Sequence, residues 1–350
     1  MGGDATPLTD IRFRYYFHLQ HNGVVNMAGT VGGTARRQRL TVEQRRERHD
    51  ALVAKLADSV AALASGEGWL RYLRAMSTLR EYSPSNQMLI LQQRPDATRV
   101  AGYRAWQSLG RQVRAGSKAI WIFGYATRTD QATEAADLDT PAPADRDGTR
   151  ARVYFPLVKV FDISDTEGPD IDFPDTGYTA KGDTTEVAAK AIGDVTGWLT
   201  ATGWTVVREP LTDGVRGYTA YTQRRIALAT DADLPETARV LLHEACHSVL
   251  HAPGSPYIDP DQYAASRRHR GVAEVQADGA AFVLADQLGL DTLHSATGYV
   301  AGWASAAAES TDPQAMADVI RTAAAAVHHA VCTVTDGLAA IRTAQPAIAS

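Results

Sequence analysis

A chain of 350 residues, 45% hydrophobic and 21% charged, is long enough for two domains with separate cores and lies in the ordinary globular range. Two cysteines, Cys246 and Cys332, exclude a disulfide framework and fit a reducing cytoplasm. The net charge of −5 hides an asymmetry: residues 34–128 carry 17 Lys/Arg against 7 Asp/Glu, residues 129–150 carry 2 against 6, and residues 151–350 carry 14 against 25.

In chain order, residues 1–40 read as a disordered leader. They have no basic segment running into an apolar one, so no signal peptide is expected, and translation is expected to start at Met27. Thr41 and Gln44 make a capping box, followed by Leu52, Val53, Leu56, Val60 and Leu63 at helical spacing, with Gly66 and Gly68 as the expected stop. A second helix carries Trp69, Leu70, Leu73, Met76 and Leu79. A third starts after Ser83 with Pro84 in its first turn and stops before Pro95, and a short one covers Tyr103–Leu109. A basic turn, Gly-Arg-Gln-Val-Arg-Ala-Gly-Ser-Lys, leads to a strand over 119–125, and a strand over 152–161 is expected to return beside it. Residues 129–150 read as a surface insertion and residues 164–182 as a linker, which predicts that a fragment ending near residue 170 folds alone.

The second half predicts a helix over 184–202 and short strands over 205–208, 218–221 and 226–228. Helices are then predicted over 235–251, 271–288 and 295–308, with a long last one from Pro313. No apolar run reads as a membrane helix, because Asp318, Arg321, His328 and His329 interrupt the alanine-rich C-terminus.

Chemistry concentrates in Leu-Leu-His-Glu-Ala-Cys-His-Ser-Val-Leu-His, residues 241–251. On a helix, His243 and His247 share a face and can grip one zinc ion, while Glu244 sits about 100° round as a general base that need not be a ligand. The spacing leaves an open position for water, whose pKa zinc lowers towards about 7. On a later helix, Glu274 can close the site and Asp278 can hold a ligand histidine by its free N–H. A carbonyl-cleaving site also needs an oxyanion stabiliser, for which Tyr218, Tyr221, His294 and Tyr299 stand open.

The segment LLHEACHSVLH followed by EVQADGAAFVLADQLG resembles the gluzincin-type metallopeptidase domain of the ImmA/IrrE and ArdC families. That resemblance implies His243, His247 and Glu274 as ligands and Glu244 as base. Cys246 stands where such families commonly have glycine and is expected to point into the core or to lie behind the ligands without being one, and His251 reads as a helix-end residue.

Between residues 82 and 121, Tyr82, Tyr103, Trp106 and Trp121 alternate with Arg94, Arg99, Arg104, Arg111, Arg114 and Lys118. Rings that stack on bases and cations that meet phosphates are what a single-strand binder needs, although rings at helical spacing equally serve a core. The segment YSPSNQMLILQQRPDATRVAGYRAWQSLGRQVRAGSKAIWIF, with VFDISDTEG after it, is similar to the N-terminal domain of ArdC-type antirestriction proteins. The resemblance implies single-stranded DNA as a partner. The expected contacts are Tyr82, Asn86, Tyr103 and Trp106, with Arg111, Arg114 and Lys118 meeting phosphates because they cluster on one Gly-bounded turn beside Trp106.

The expected fold is α+β in two domains. Residues 41–165 form a helical domain with a small antiparallel sheet, residues 166–182 link, and residues 183–350 form a gluzincin-like domain. The expected protein is cytoplasmic, binds single-stranded DNA and Zn²⁺ and serves antirestriction on a mobile element. The alternative is a regulatory metalloprotease that cuts an unknown protein substrate with DNA as its signal.

Overall fold

A computed structural model describes residues 41–124, 126–129, 151–171, 184–212, 214–257, 267–290 and 312–344. It is α+β, with helices and small, mainly antiparallel sheets. The capping box forms as read: Gln44 N–H donates to Thr41 Oγ1 at 3.1 Å and Thr41 N–H to Gln44 Oε1 at 3.0 Å. Helix α1 then spans Val42–Ala62. Gly66 and Gly68 do not end it. They open α2 (Gly66–Leu79), whose N-cap Ser65 accepts from Gly68 N–H at 3.0 Å. Helix α3 (Pro84–Gln93) begins and ends where Pro84 and Pro95 predict.

Strands β1 (Val100–Gly102), β3 (Ile120–Phe123) and β6 (Leu157–Asp162) form an antiparallel sheet in the order β1-β6-β3. Its inner face, with Ile120, Ile122, Val158 and Val160, packs on Leu79 and Ile90. Short helix α4 (Tyr103–Ser108) follows β1. β2 (Gln112–Val113) pairs with β7 (Thr166–Glu167), and β4 (Ala126–Thr129) with β5 (Ala151–Tyr154). The predicted strand over 152–161 is thus broken between β5 and β6 at Phe155 and Pro156, because proline cannot donate to a ladder.

The linker expected from residue 164 does not begin there. Asp162 is buried and accepts the backbone N–H groups of Thr98 (2.8 Å), Arg99 (3.2 Å) and Ser164 (2.9 Å). Arg94 holds both oxygens of Asp165 at 3.1 Å, so polar composition here marks a pinned turn rather than a free link. The rest of that expected linker, residues 172–182, lies outside the described residues, as do residues 130–150 of the expected insertion and the helix over 295–308.

Helix α5 (Thr184–Ala201) leads into a second sheet, β8 (Thr205–Glu209), β9 (Gly217–Ala220) and β10 (Arg225–Ala229). β10 lies central, parallel to β8 and antiparallel to β9. Helices α6 (Leu234–Leu250), α7 (Arg267–Gln287) and α8 (Pro313–Ala344) complete the described chain. Asp233 caps α6 by accepting Glu236 N–H at 2.8 Å.

The core departs from the expectation of two separately cored domains. Trp69, Tyr72, Leu73 and Met76 of α2 belong to the same buried cluster as Leu241, Leu242 and Ala245 of α6, Ala277 and Val283 of α7, and Ala323, Val327 and Val331 of α8. Gly279 of α7 lies in this contact: a Cβ there would be 3.5 Å from both Trp69 and Leu73 and 3.0 Å from Val327. Helix α8 also corrects the membrane reading. Over Ala315–Thr343 it is long and apolar enough to cross a bilayer, yet its apolar stripe of Ile320, Ala324, Val327, Val331 and Val334 is buried in this core.

Candidate metal centre

Helix α6 carries His243 and His247 on one face, and α7 packs beside it. The three donor atoms converge. His243 Nε2 and His247 Nε2 are 3.0 Å apart, and Glu274 Oε2 lies 3.3 Å from the first and 3.6 Å from the second. Tetrahedral ligands about 2.0–2.1 Å from a zinc ion are separated by about 3.3 Å, so these three residues fit such an ion in both donor type and spacing. Among the described residues, His243, His247 and Glu274 form the group able to hold a metal ion, their ligand atoms lying within 4.8 Å of one another; Glu244 is outside it.

The surroundings fix the rings. His243 Nδ1 lies 2.8 Å from Asp278 Oδ1. Burial alone would lower the His243 pKa, but hydrogen bonds to Asp278 and Glu274 and the nearby carboxylates raise it to about 10. Burial would raise Glu274, yet its hydrogen bonds with both histidines hold it well below the usual carboxylate range. His247 Nδ1 meets His251 Nδ1 at 2.9 Å, and burial together with His247 pushes His251 down to about 3, leaving its ring neutral. Sequence reasoning missed this role for His251; its place four residues past His247 was the available signal.

Glu244 is buried, and its Oε2 accepts from Thr219 Oγ1 of β9 at 2.7 Å. The strand comes this close because residue 217 is glycine: a Cβ there would sit 2.5 Å from Val240 Cγ1 and 3.4 Å from Glu244 Cγ. Thr219 is a second residue that the motif did not announce. Cys246 is wholly buried in the core as expected, and burial pushes its thiol up, away from a ligand role. Of the oxyanion candidates, Tyr221 Oη lies 3.4 Å from His247 Nδ1. Tyr218 is turned to Glu209 (2.9 Å) and Arg225 (2.7 Å), while His294 and Tyr299 fall outside the described residues.

In the first half, α3 caps the open edge of β3. Asn86 accepts Phe123 N–H (3.0 Å) and donates to Phe123 C=O (2.8 Å), and Gln93 does the same for Trp121 (3.0 and 2.8 Å). On the sheet face away from Ile120 and Ile122, strand alternation puts half-buried Trp121 and Phe123, and the register sets Lys159 opposite Trp121 and Leu157 opposite Phe123. The Lys159 ammonium lies 4.8 Å from the Trp121 ring centre. Phe161, opposite Ala101, continues that face.

Residues 44–161 match the family model of the N-terminal domain of anti-restriction factor ArdC. This segment is an ArdC N-terminal domain. No curated protein matches the chain. Among solved structures, the metal-free antirestriction ArdC protein from the R388 plasmid is 20% identical, covers 74% of this chain and 86% of its own, and superposes with a TM-score of 0.44. Its Mn(II)-bound form is 18% identical, with 74% and 85% covered and a TM-score of 0.42.

Within the ArdC domain, several residues expected to touch DNA have structural work instead. Trp106 is 2% exposed and donates its indole N–H to Phe161 C=O at 2.9 Å, which leaves no face for stacking. Asn86 is the strand cap just described. Tyr82 donates to Val100 C=O at 2.7 Å, and burial beside Glu81 pushes its hydroxyl up to about 12. Arg111 binds Thr166 Oγ1 (2.7 Å) and the carbonyls of Gly168 (3.2 Å) and Pro169 (2.5 Å), which pins the chain after β7. Arg114 donates to Ser164 C=O but is exposed, Tyr103 is half-buried, and Lys118 is exposed. The sequence motif therefore marks residues that build the sheet as well as any that meet a ligand.

Proposed function

We propose that this chain is an ArdC-type antirestriction protein of a mobile element, acting in the cytoplasm. In this reading residues 41–165 hold single-stranded DNA and residues 183–350 are a gluzincin-like zinc metallopeptidase domain. The observation that carries the second half is the convergence of His243, His247 and Glu274 with Asp278 behind one ring and Glu244 beside them, outside the ligand group. Three protein ligands with an unused carboxylate fit a working site better than a structural one, which closes its shell with four.

Zinc, when bound, supplies Lewis acidity to a carbonyl and to water. The chain's own residues do the rest. Glu244 takes a proton on its carboxylate during attack, with Thr219 fixing its orientation through the 2.7 Å hydrogen bond. The substrate of this step is a peptide bond of a protein.

For DNA, the corrected contact set is the outer sheet face of Trp121, Phe123 and Phe161 with Lys159, joined by Tyr103, Arg114 and Lys118. Half-buried rings beside a cation on one sheet face support stacking of bases with phosphates alongside, and the excess of Lys/Arg in residues 34–128 supports a polyanion partner. The deciding experiment measures DNA binding and protein cleavage by wild type and Glu244→Gln, each with and without single-stranded DNA. Binding retained by both, with cleavage only by wild type, is expected. Cleavage that requires DNA would favour the regulatory protease; binding equal for single strands and duplex would overturn the DNA assignment.

A further inference from the structure

His243 and His247 both lie on one face of α6, and His243 has a carboxylate behind its ring, Asp278 at 2.8 Å. Behind His247 stands a third imidazole. His247 Nδ1 is 2.9 Å from His251 Nδ1, and His251 Nε2 is 3.0 Å from Gln276 Oε1 on α7. His251 and Gln276 are 0% and 1% exposed, so water does not substitute for these partners. Tyr221 Oη, at 3.4 Å, is the more distant neighbour of the same nitrogen.

Two facing ring nitrogens form a hydrogen bond only when one carries a proton and the other does not, so the tautomers of the two rings are coupled. A histidine that offers Nε2 to a metal carries its proton on Nδ1. His251 Nδ1 must then accept, which leaves the His251 proton on Nε2, where it needs an acceptor. The Gln276 amide oxygen is that acceptor. The opposite setting, with an amide N–H aimed at His251, would place the proton of His251 on Nδ1 and that of His247 on Nε2, and so remove the donor lone pair from the metal centre.

We propose that His251 and Gln276 are positioning residues that hold His247 in the tautomer and orientation a metal ligand needs, the task Asp278 performs for His243. The inference rests on the metal-centre reading above and deepens it.

The test uses the full chain with Zn²⁺ alone as probe, reading the dissociation constant by chelator competition and the ring tautomers by ¹⁵N NMR. Gln276→Met removes the acceptor at similar bulk and should weaken zinc binding by roughly 10–100-fold, as should His251→Leu. In zinc-loaded wild type, His251 should be the neutral Nε2–H form and His247 the Nδ1–H form. Should His251→Leu fail to fold, Gln276→Met and the wild-type spectrum carry the test. An Nδ1–H His251 in the loaded protein, or unchanged affinity in Gln276→Met, overturns the proposal while leaving the metal centre standing. Wild type that binds no zinc overturns both.

Discussion

Asp278 Oδ1 and His243 Nδ1 lie 2.8 Å apart across the α6–α7 interface, on the side of the ring opposite Glu274. One imidazole is thus held at both nitrogens by residues from a second helix. From this follows a graded metal phenotype. His243→Ala, His247→Ala and Glu274→Ala should each lose the roughly one zinc ion per chain expected of a three-ligand site. Glu244→Gln should retain it. Asp278→Ala should weaken affinity by about 10–100-fold without abolishing it. Metal content by elemental analysis decides: full occupancy in Glu274→Ala would move the third ligand elsewhere.

Asp162 should give the first half an acid-sensitive turn. Burial would raise its pKa, but the Ser164 hydroxyl and the N–H groups of Ser164, Thr98 and Arg99 outweigh it and hold the pKa below the ordinary 3.8. The folded pKa is depressed, so its stabilisation is fully present above the ordinary value of 3.8 and fades as pH falls through the lower folded value. Asp162→Asn should lower stability by about 1–3 kcal/mol at neutral pH and flatten the acid limb of a melting curve. An acid limb equal to that of wild type would remove Asp162 from this role.

Trp106 and Trp121 should differ in kind. Trp106→Ala empties a core position and should cost about 3–5 kcal/mol of stability. Trp121→Ala should leave the fold standing and cost about 1–3 kcal/mol in single-strand binding, with little change in salt dependence. Lys159→Ala or Lys118→Ala should instead reduce the log–log salt slope by about 0.7 for each phosphate that is no longer neutralised. Unchanged affinity in Trp121→Ala would show that the outer sheet face is not where bases stack.

A fragment comprising residues 41–170 should not fold alone. It would bare Trp69, Tyr72, Leu73 and Met76, each at most 2% exposed in the full chain, whose partners lie on α6, α7 and α8. Aggregation, or the absence of a cooperative melting transition, is expected. A cooperatively folded, soluble fragment would show that these side chains find other cover.

The sequence by itself determined the helices with strong punctuation: Thr41 with Gln44 and Ser83 with Pro84 are local signals that act within one turn. It also determined which donors could share a helix face, since His243 with His247 and Glu274 with Asp278 follow from helical period alone. The meeting of those two faces did not follow, because it depends on the packing of α6 against α7. For the same reason the roles of His251, Gln276 and Thr219 became visible only in three dimensions: each hydrogen-bonds a partner on a different element or a turn away, and its residue type alone is compatible with many duties. The aromatic residues of the first half show the limit most clearly. Trp106 and Trp121 look alike in a string of rings and arginines. Trp106 is core because its short helix sets the indole N–H on Phe161 C=O, and Trp121 lies on the outer face by the alternation and register of a three-stranded sheet whose middle strand, Leu157–Asp162, comes from well beyond both in the chain.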